Sequence, residues 1–214
     1  MKQHLYPVLF AGLALLAACK SNSEKTLPIY GQRTPVTKTV NGNTVTDTVY
    51  QTIPAFKFIN QYGDSITQKN VNGKIYVADF FFTSCPSICP VMHRNMLKLY
   101  NEFKNDDEIR ILSHSIDPQH DSVNVLKKYA DKLGVAGNTW WFLQGKKEDT
   151  YALSASYLVR KPEPDAKQGF IHDGNFLLID KQKRVRGAYD GTVPEQVDQL
   201  IADIKTLKQE PDQK

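Results

Sequence analysis

Few side chains in this sequence have chemistry to offer: three cysteines at positions 19, 85 and 89, and five histidines at 4, 93, 114, 120 and 172. Cys85 and Cys89 stand four apart in Phe82-Thr83-Ser84-Cys85-Pro86-Ser87-Ile88-Cys89-Pro90. On a helix, residues i and i+4 share one face with Cβ atoms about 5–6 Å apart, so the two sulfurs can close a disulfide or grip one soft ion. Pro90 suits a first helical turn, where its missing N–H costs nothing, and the amides of a helix N-terminus favour thiolate over thiol. Such a pair can be a redox dithiol, a peroxidatic and resolving pair, or half of a metal site; an inert structural disulfide is the reading without chemistry. A peroxidatic site expects a threonine three residues before its cysteine and a proline upstream, but Thr83 is two before Cys85 and residues 77–82 hold no proline. Tetrahedral zinc needs more Cys and His ligands than this stretch supplies. Copper(I) does not: two thiolates suffice, alone or with one imidazole.

The histidines differ in context. His4 belongs to the extreme N-terminus. His93 follows Cys89 by four and shares its helical face, which makes it a cramped candidate ligand. His114 falls inside an apolar strand and reads as a satisfied core or edge histidine, and His120, in Asp117-Pro118-Gln119-His120-Asp121, as a solvated loop residue. His172 sits in Gly169-Phe170-Ile171-His172-Asp173-Gly174-Asn175, just before a strand, where a loop can approach the end of a neighbouring strand and bring an imidazole to the thiols. Asp173 is then a candidate to orient that ring through its other nitrogen. Met92 and Met96, spaced i,i+4, read as core.

The elements that position these groups follow from hydrophobic pattern. Ile75 to Phe82 is a nearly continuous apolar run, expected of a strand covered on both faces. A helix follows over about Pro90–Phe103, a strand over Ile109–Ile116, and a helix to about Leu133 for which Asp121 is the expected cap. Trp140–Leu143 is a short strand, Lys146–Tyr157 a helix, and Pro162 and Pro164 mark a loop. Phe176–Asp180 and Val185–Tyr189 form a hairpin, and a helix from Pro194 to about Lys208 closes the chain. Upstream, Pro54–Asn60 is strand-like, and Val36–Tyr50 alternates around Asn41-Gly42, a strong hairpin signal. The order β-α-β-α-β-α-β-β-α predicts an α/β sandwich: a central mixed sheet flanked by helices, with an N-terminal hairpin added. The thiol pair lies at the carboxyl end of the first central strand, where open α/β sheets place their sites.

The chain's 214 residues are 41% hydrophobic and 23% charged, with a formal charge of +4. That excludes disorder, and the absence of a basic block argues against nucleic acid as a partner. Met1 to Ala18 has a short polar start and a 14-residue apolar run, too short to span a bilayer but suited to a signal peptide. It ends in Leu16-Ala17-Ala18-Cys19, which resembles a bacterial lipobox. Residues 1–18 are therefore expected to be a lipoprotein signal peptide and 19–28 a lipidated Cys19 with its tether. Residues 29–53 are expected to be the hairpin extension and 54–210 the main domain, anchored to a lipid bilayer and facing the periplasm.

Over roughly Pro54–Leu207 the sequence resembles the Sco/SenC family of membrane-tethered copper chaperones. Residues 81–90 are similar to the family's F-T-x-C-P-x-x-C-P. Ser115-Ile116-Asp117-Pro118-Gln119-His120-Asp121 is similar to its S-x-D-P-x-x-D, and His172 precedes Asp180 by eight, as the family's ligand histidine precedes its strand end. The resemblance implies a thioredoxin-like fold in which Cys85, Cys89 and His172 hold one copper, Cu(I) or Cu(II). It also implies a role in supplying copper to the dinuclear copper site of cytochrome c oxidase subunit II or another copper-accepting protein. Keeping that subunit's cysteines reduced is the companion role, with a thiol reductant protein as further partner. Ser87 stands where the family commonly has Asp, and Ile171 where Asp usually precedes the histidine. A general thiol–disulfide oxidoreductase or redox sensor using Cys85 and Cys89 without copper is the alternative.

Overall fold

The computed structural model describes residues 26–165, 169–171 and 173–211. Cys19 and the segment 1–25 lie outside them. The chain opens with β1 (Arg33–Val40) and β2 (Asn43–Tyr50), an antiparallel ribbon turned by Asn41 and Gly42. Both turn residues have positive φ, 52° and 79°, the backbone that an Asn-Gly two-residue turn supplies at low cost. Two short strands, β3 (Lys57–Ile59) and β4 (Ser65–Thr67), pair with each other, so the strand-like run from Pro54 is realised only at its centre.

Then comes the alternation that builds the body: β5 (Ile75–Phe81), α1 (Cys89–Phe103), β6 (Ile109–Ser115), α2 (Val123–Leu133), β7 (Trp140–Leu143) and α3 (Lys147–Ser156). After two short strands, β8 (Glu163–Asp165) and β9 (Gly169–Ile171), come β10 (Asn175–Ile179), β11 (Val185–Asp190) and α4 (Pro194–Gln209). Five strands form the central sheet in the order β11-β10-β5-β6-β7, with β5, β6 and β7 parallel and β10 and β11 antiparallel. β5 is paired on both sides and every one of its residues is buried, as its apolar run requires.

Strand alternation divides the core. Asp79 and Phe81 of β5 face α1 and α2, where Phe81 packs on His93 and Tyr129. Tyr76 and Phe80 face the other way, onto Tyr157 at the end of α3, with Phe58 of β3 closing the same layer over His114.

Two expectations need correction. Pro162 lies in a loop as expected, but Pro164 does not: β8 pairs with β9 in the register Glu163↔Ile171, Pro164↔Phe170 and Asp165↔Gly169. A proline lacks only one donor, and an isolated two-stranded ribbon leaves its outer edge without a ladder, so Pro164 fits there. Asp121 does not cap α2. Ser122 occupies the cap position without a side-chain bond, because Asp121 is engaged elsewhere.

Candidate metal centre

The two thiols sit where β5 hands over to α1. After Phe81 the chain turns, with the Cys85 amide donating to the Phe82 carbonyl at 3.2 Å. Cys89 is the first residue of α1, Pro90 follows it, and the amides of Val91 and Met92 both donate to the Ile88 carbonyl. Both cysteines are outside any disulfide and buried, Cys85 8% and Cys89 1% exposed. The Cys85 sulfur lies 3.7 Å from the Ser87 hydroxyl.

The helix start was expected to favour thiolate at both positions. For Cys89 the reverse holds. A hydrogen bond shared with Cys85 pushes its thiol up, and burial adds to the shift, outweighing a backbone hydrogen bond at Phe82. Two sulfurs close enough to share a proton hold it between them. A soft monovalent cation can take the place of that proton, so the donor set fits Cu(I).

The loop carrying Cys85 is pinned from outside. Asp121, fully buried, accepts from the Thr83 amide at 3.1 Å, from the Thr83 hydroxyl, and from the Ser115 hydroxyl at 2.6 Å. The Ile116 amide donates to the Phe81 carbonyl at 2.9 Å. Strand β6 and the turn after it thereby fix the residue two before Cys85. Burial raises the Asp121 carboxyl above its ordinary value, and these bonds oppose that rise.

His172 lies outside the described residues. Its neighbours come close to the thiol junction: Phe170 meets Phe82 edge-to-face at 5.3 Å, and a Cβ on Gly174 would contact the Ile88 Cδ1 at 3.4 Å and the Met92 sulfur at 3.6 Å. Asp173 accepts from the Arg160 amide at 2.8 Å. Among the described residues no group of three or more His, Cys, Asp or Glu side chains is arranged to hold a metal, so two thiols are the part of the expected set on view.

The remaining histidines sort cleanly. His93 is no ligand: Nε2 is 3.0 Å from Asp79 Oδ2 and Nδ1 is 2.8 Å from the Tyr129 hydroxyl, so both ring nitrogens are taken. His120 is exposed, as expected. His114 is in the core, as expected, but it is not satisfied, since neither ring nitrogen has a hydrogen-bond partner. Met92 and Met96 are fully buried. The bonding of His93 and Asp79 escaped sequence reasoning; a lone acid in the apolar run 75–82 was the available signal.

The chain matches the family model described as SCO1/SenC over residues 45–209. It is 32% identical over 170 residues to the SCO1 protein homolog of Bacillus subtilis (strain 168), which covers 77% of this chain and 87% of that one. BsSco, presented as a member of the Sco family of cytochrome c oxidase assembly proteins with a disulfide switch, superposes with a TM-score of 0.64 at 29% identity, over 75% of this chain and 95% of that one. ScoI of Arabidopsis thaliana, solved with copper bound, shares the fold at 23% identity and a TM-score of 0.61, over 73% of this chain and 98% of that one. The mixed sheet with helices on both faces is thus the thioredoxin-like architecture expected from the sequence.

Proposed function

We propose, since the chain belongs to the SCO1/SenC family, that it carries copper as cargo and passes it to the dinuclear copper site of cytochrome c oxidase subunit II. The observation that carries this reading is the pair of buried, reduced thiols that share a hydrogen bond where β5 leads into α1. Two thiolates hold Cu(I) tightly yet leave coordination positions open, so an acceptor's thiolates can enter while the donor's leave. His172 is the third ligand in this reading, an imidazole that accommodates Cu(II) as well. Phe82, three residues before Cys85, packs edge-to-face on Phe170, an apolar contact that would help limit water around a bound ion. Lipid on Cys19 would hold the domain on the extracytoplasmic face of a bacterial membrane, beside an oxidase client. Among the described residues no helix is long and apolar enough to cross one.

The test is a copper titration of the full chain, reduced under nitrogen. One copper per chain is expected, with a thiolate-to-Cu(II) charge-transfer band that disappears in His172→Ala. Wild-type affinity and spectrum in that variant would sink the three-ligand site.

A second reading is favoured by the hydrogen bond that Cys85 and Cys89 share. A dithiol able to close on itself can reduce a partner's disulfide: two sulfur–hydrogen bonds break, one sulfur–sulfur bond forms, and the partner leaves as two thiols. Turnover of a model disulfide by a wild-type chain that binds no copper would make this the main role.

A further inference from the structure

Behind the thiols lies a chain of hydrogen bonds that neither copper binding nor thiol exchange has called upon. His93, one helical turn after Cys89 and equally buried, bonds Asp79 Oδ2 at 3.0 Å and the Tyr129 hydroxyl at 2.8 Å. The other oxygen of Asp79 meets the Ser113 hydroxyl at 2.5 Å, and Ser113 in turn meets the Trp140 indole at 2.8 Å. Asp79, His93 and Ser113 are all 0% exposed.

Donor chemistry fixes the direction at the Trp140 end of the chain. An indole N–H can only donate, so the Ser113 oxygen accepts from Trp140 and directs its own proton to Asp79. At His93 one arrangement gives every donor an acceptor: Nε2–H donates to the second Asp79 oxygen and the Tyr129 hydroxyl donates to Nδ1. In it the imidazole carries one proton and the Asp79 carboxylate accepts from both sides. Its partners are neutral donors: among the described residues no lysine or arginine forms an ion pair with Asp79. His114, on the opposite face of the sheet, is held neutral by burial, which lowers its pKa to about 4. With that arrangement the network carries one net negative charge, set against His93, one helical turn beyond Cys89.

We propose that the Asp79 carboxylate, held in place by His93 and Ser113, is a fixed buried charge that biases the thiol pair toward Cu(II) over Cu(I). The inference rests on the copper reading above and adds a determinant of oxidation state to it. Two thiolates with Cu(I) carry a net charge of minus one, and with Cu(II) they carry none. A nearby negative charge repels the first complex and leaves the second unaffected, and low-dielectric surroundings make the repulsion large. The same field reaches another group in the pocket. After burial and the charge of Cys89, Asp79 adds to the rise of the Tyr129 phenol. Asp79 touches no ligand, so it acts by field and position alone.

The experiment uses the full chain loaded with one copper, titrated with an electrode mediator while the thiolate-to-Cu(II) band is followed. Asp79→Asn keeps the shape. Its amide oxygen still accepts from Ser113, and its NH2 group donates to Nε2 once the His93 proton moves to Nδ1. The expected result is a ratio of Cu(I) to Cu(II) affinity raised at least tenfold, equivalent to about 59 mV for one electron. A ratio within twofold of wild type in a folded variant overturns the proposal. Should Asp79→Asn fail to fold, Ser113→Ala is the second arm. It removes one donor and leaves the charge less compensated, so the ratio is expected to fall two- to threefold. A ratio that stays put or rises there overturns the proposal equally. Copper bound with an unmoved ratio sinks this inference alone, whereas a wild type that binds no copper sinks it together with the copper reading.

Discussion

His93 and His114 are both fully buried, on opposite faces of one sheet, and the protein treats them in opposite ways. His93 has a partner on each ring nitrogen. His114 has none and is boxed by Phe56, Phe58, Phe80 and Tyr157, with the Phe80 ring stacked on it at 5.3 Å. Burial alone therefore says little about what a histidine does in a core. A bonded imidazole transmits position and charge, and here it sits one helical turn beyond Cys89. An unbonded one stacks as an aromatic ring and carries a desolvation cost of about 1–3 kcal/mol for each orphaned group.

The largest effect is expected from breaking the bonded site. His93→Leu removes the Nε2–H donor to Asp79 and leaves a buried carboxylate with Ser113 as its remaining partner. Removing one member of a buried ionic network costs on the order of 3–5 kcal/mol. Urea unfolding at pH 7 should show that loss. His93→Leu with less than about 1 kcal/mol of destabilisation would mean that Asp79 is not charged in the folded protein.

The orphaned site should respond to acid instead. Burial holds the His114 pKa at about 4 against an ordinary 6.5. Below pH 6.5 the unfolded chain takes up a proton that the folded chain refuses, so stability drains as pH falls toward 4. Between pH 7.5 and 4.5 this one group removes roughly 2–3 kcal/mol. His114→Phe keeps an aromatic ring in the box and cannot titrate. The difference in unfolding free energy between variant and wild type should widen by that amount over the interval. A constant difference would show that His114 takes up its proton without penalty in the fold.

Much of this architecture was legible because its causes are local. The apolar run of β5, the Asn-Gly turn and the i,i+4 thiols ahead of Pro90 each declare themselves within a few residues. What sequence missed was decided across the chain. Asp121 looks like a cap because Ser122 and α2 stand next to it, but it bonds Thr83, 38 residues away. His93 looks like a ligand because Cys89 is four residues off, yet its partners are 14 and 36 residues distant. The pairing of β8 with β9 was hidden by a proline that is permitted only because the ribbon stands apart from the main sheet. The thiol pair itself needed no such long-range information, whereas the charge set against His93 did.

The smallest effect sharpens the contrast by making His93 half like His114. Tyr129→Phe deletes the hydroxyl that meets Nδ1 and leaves the Asp79 bond intact. The Tyr129 ring keeps its packing on Phe81 and Phe142, so the loss is one hydrogen bond in a buried setting, about 1–2 kcal/mol. The charge on Asp79 is untouched, and the affinity ratio for the two copper states should stay within about twofold of wild type while stability falls. That separation of stability from metal preference is the point of the variant. If Tyr129→Phe moved the ratio as far as Asp79→Asn, the network would act on copper through packing of α1 against α2, and the field of the carboxylate would not be its cause.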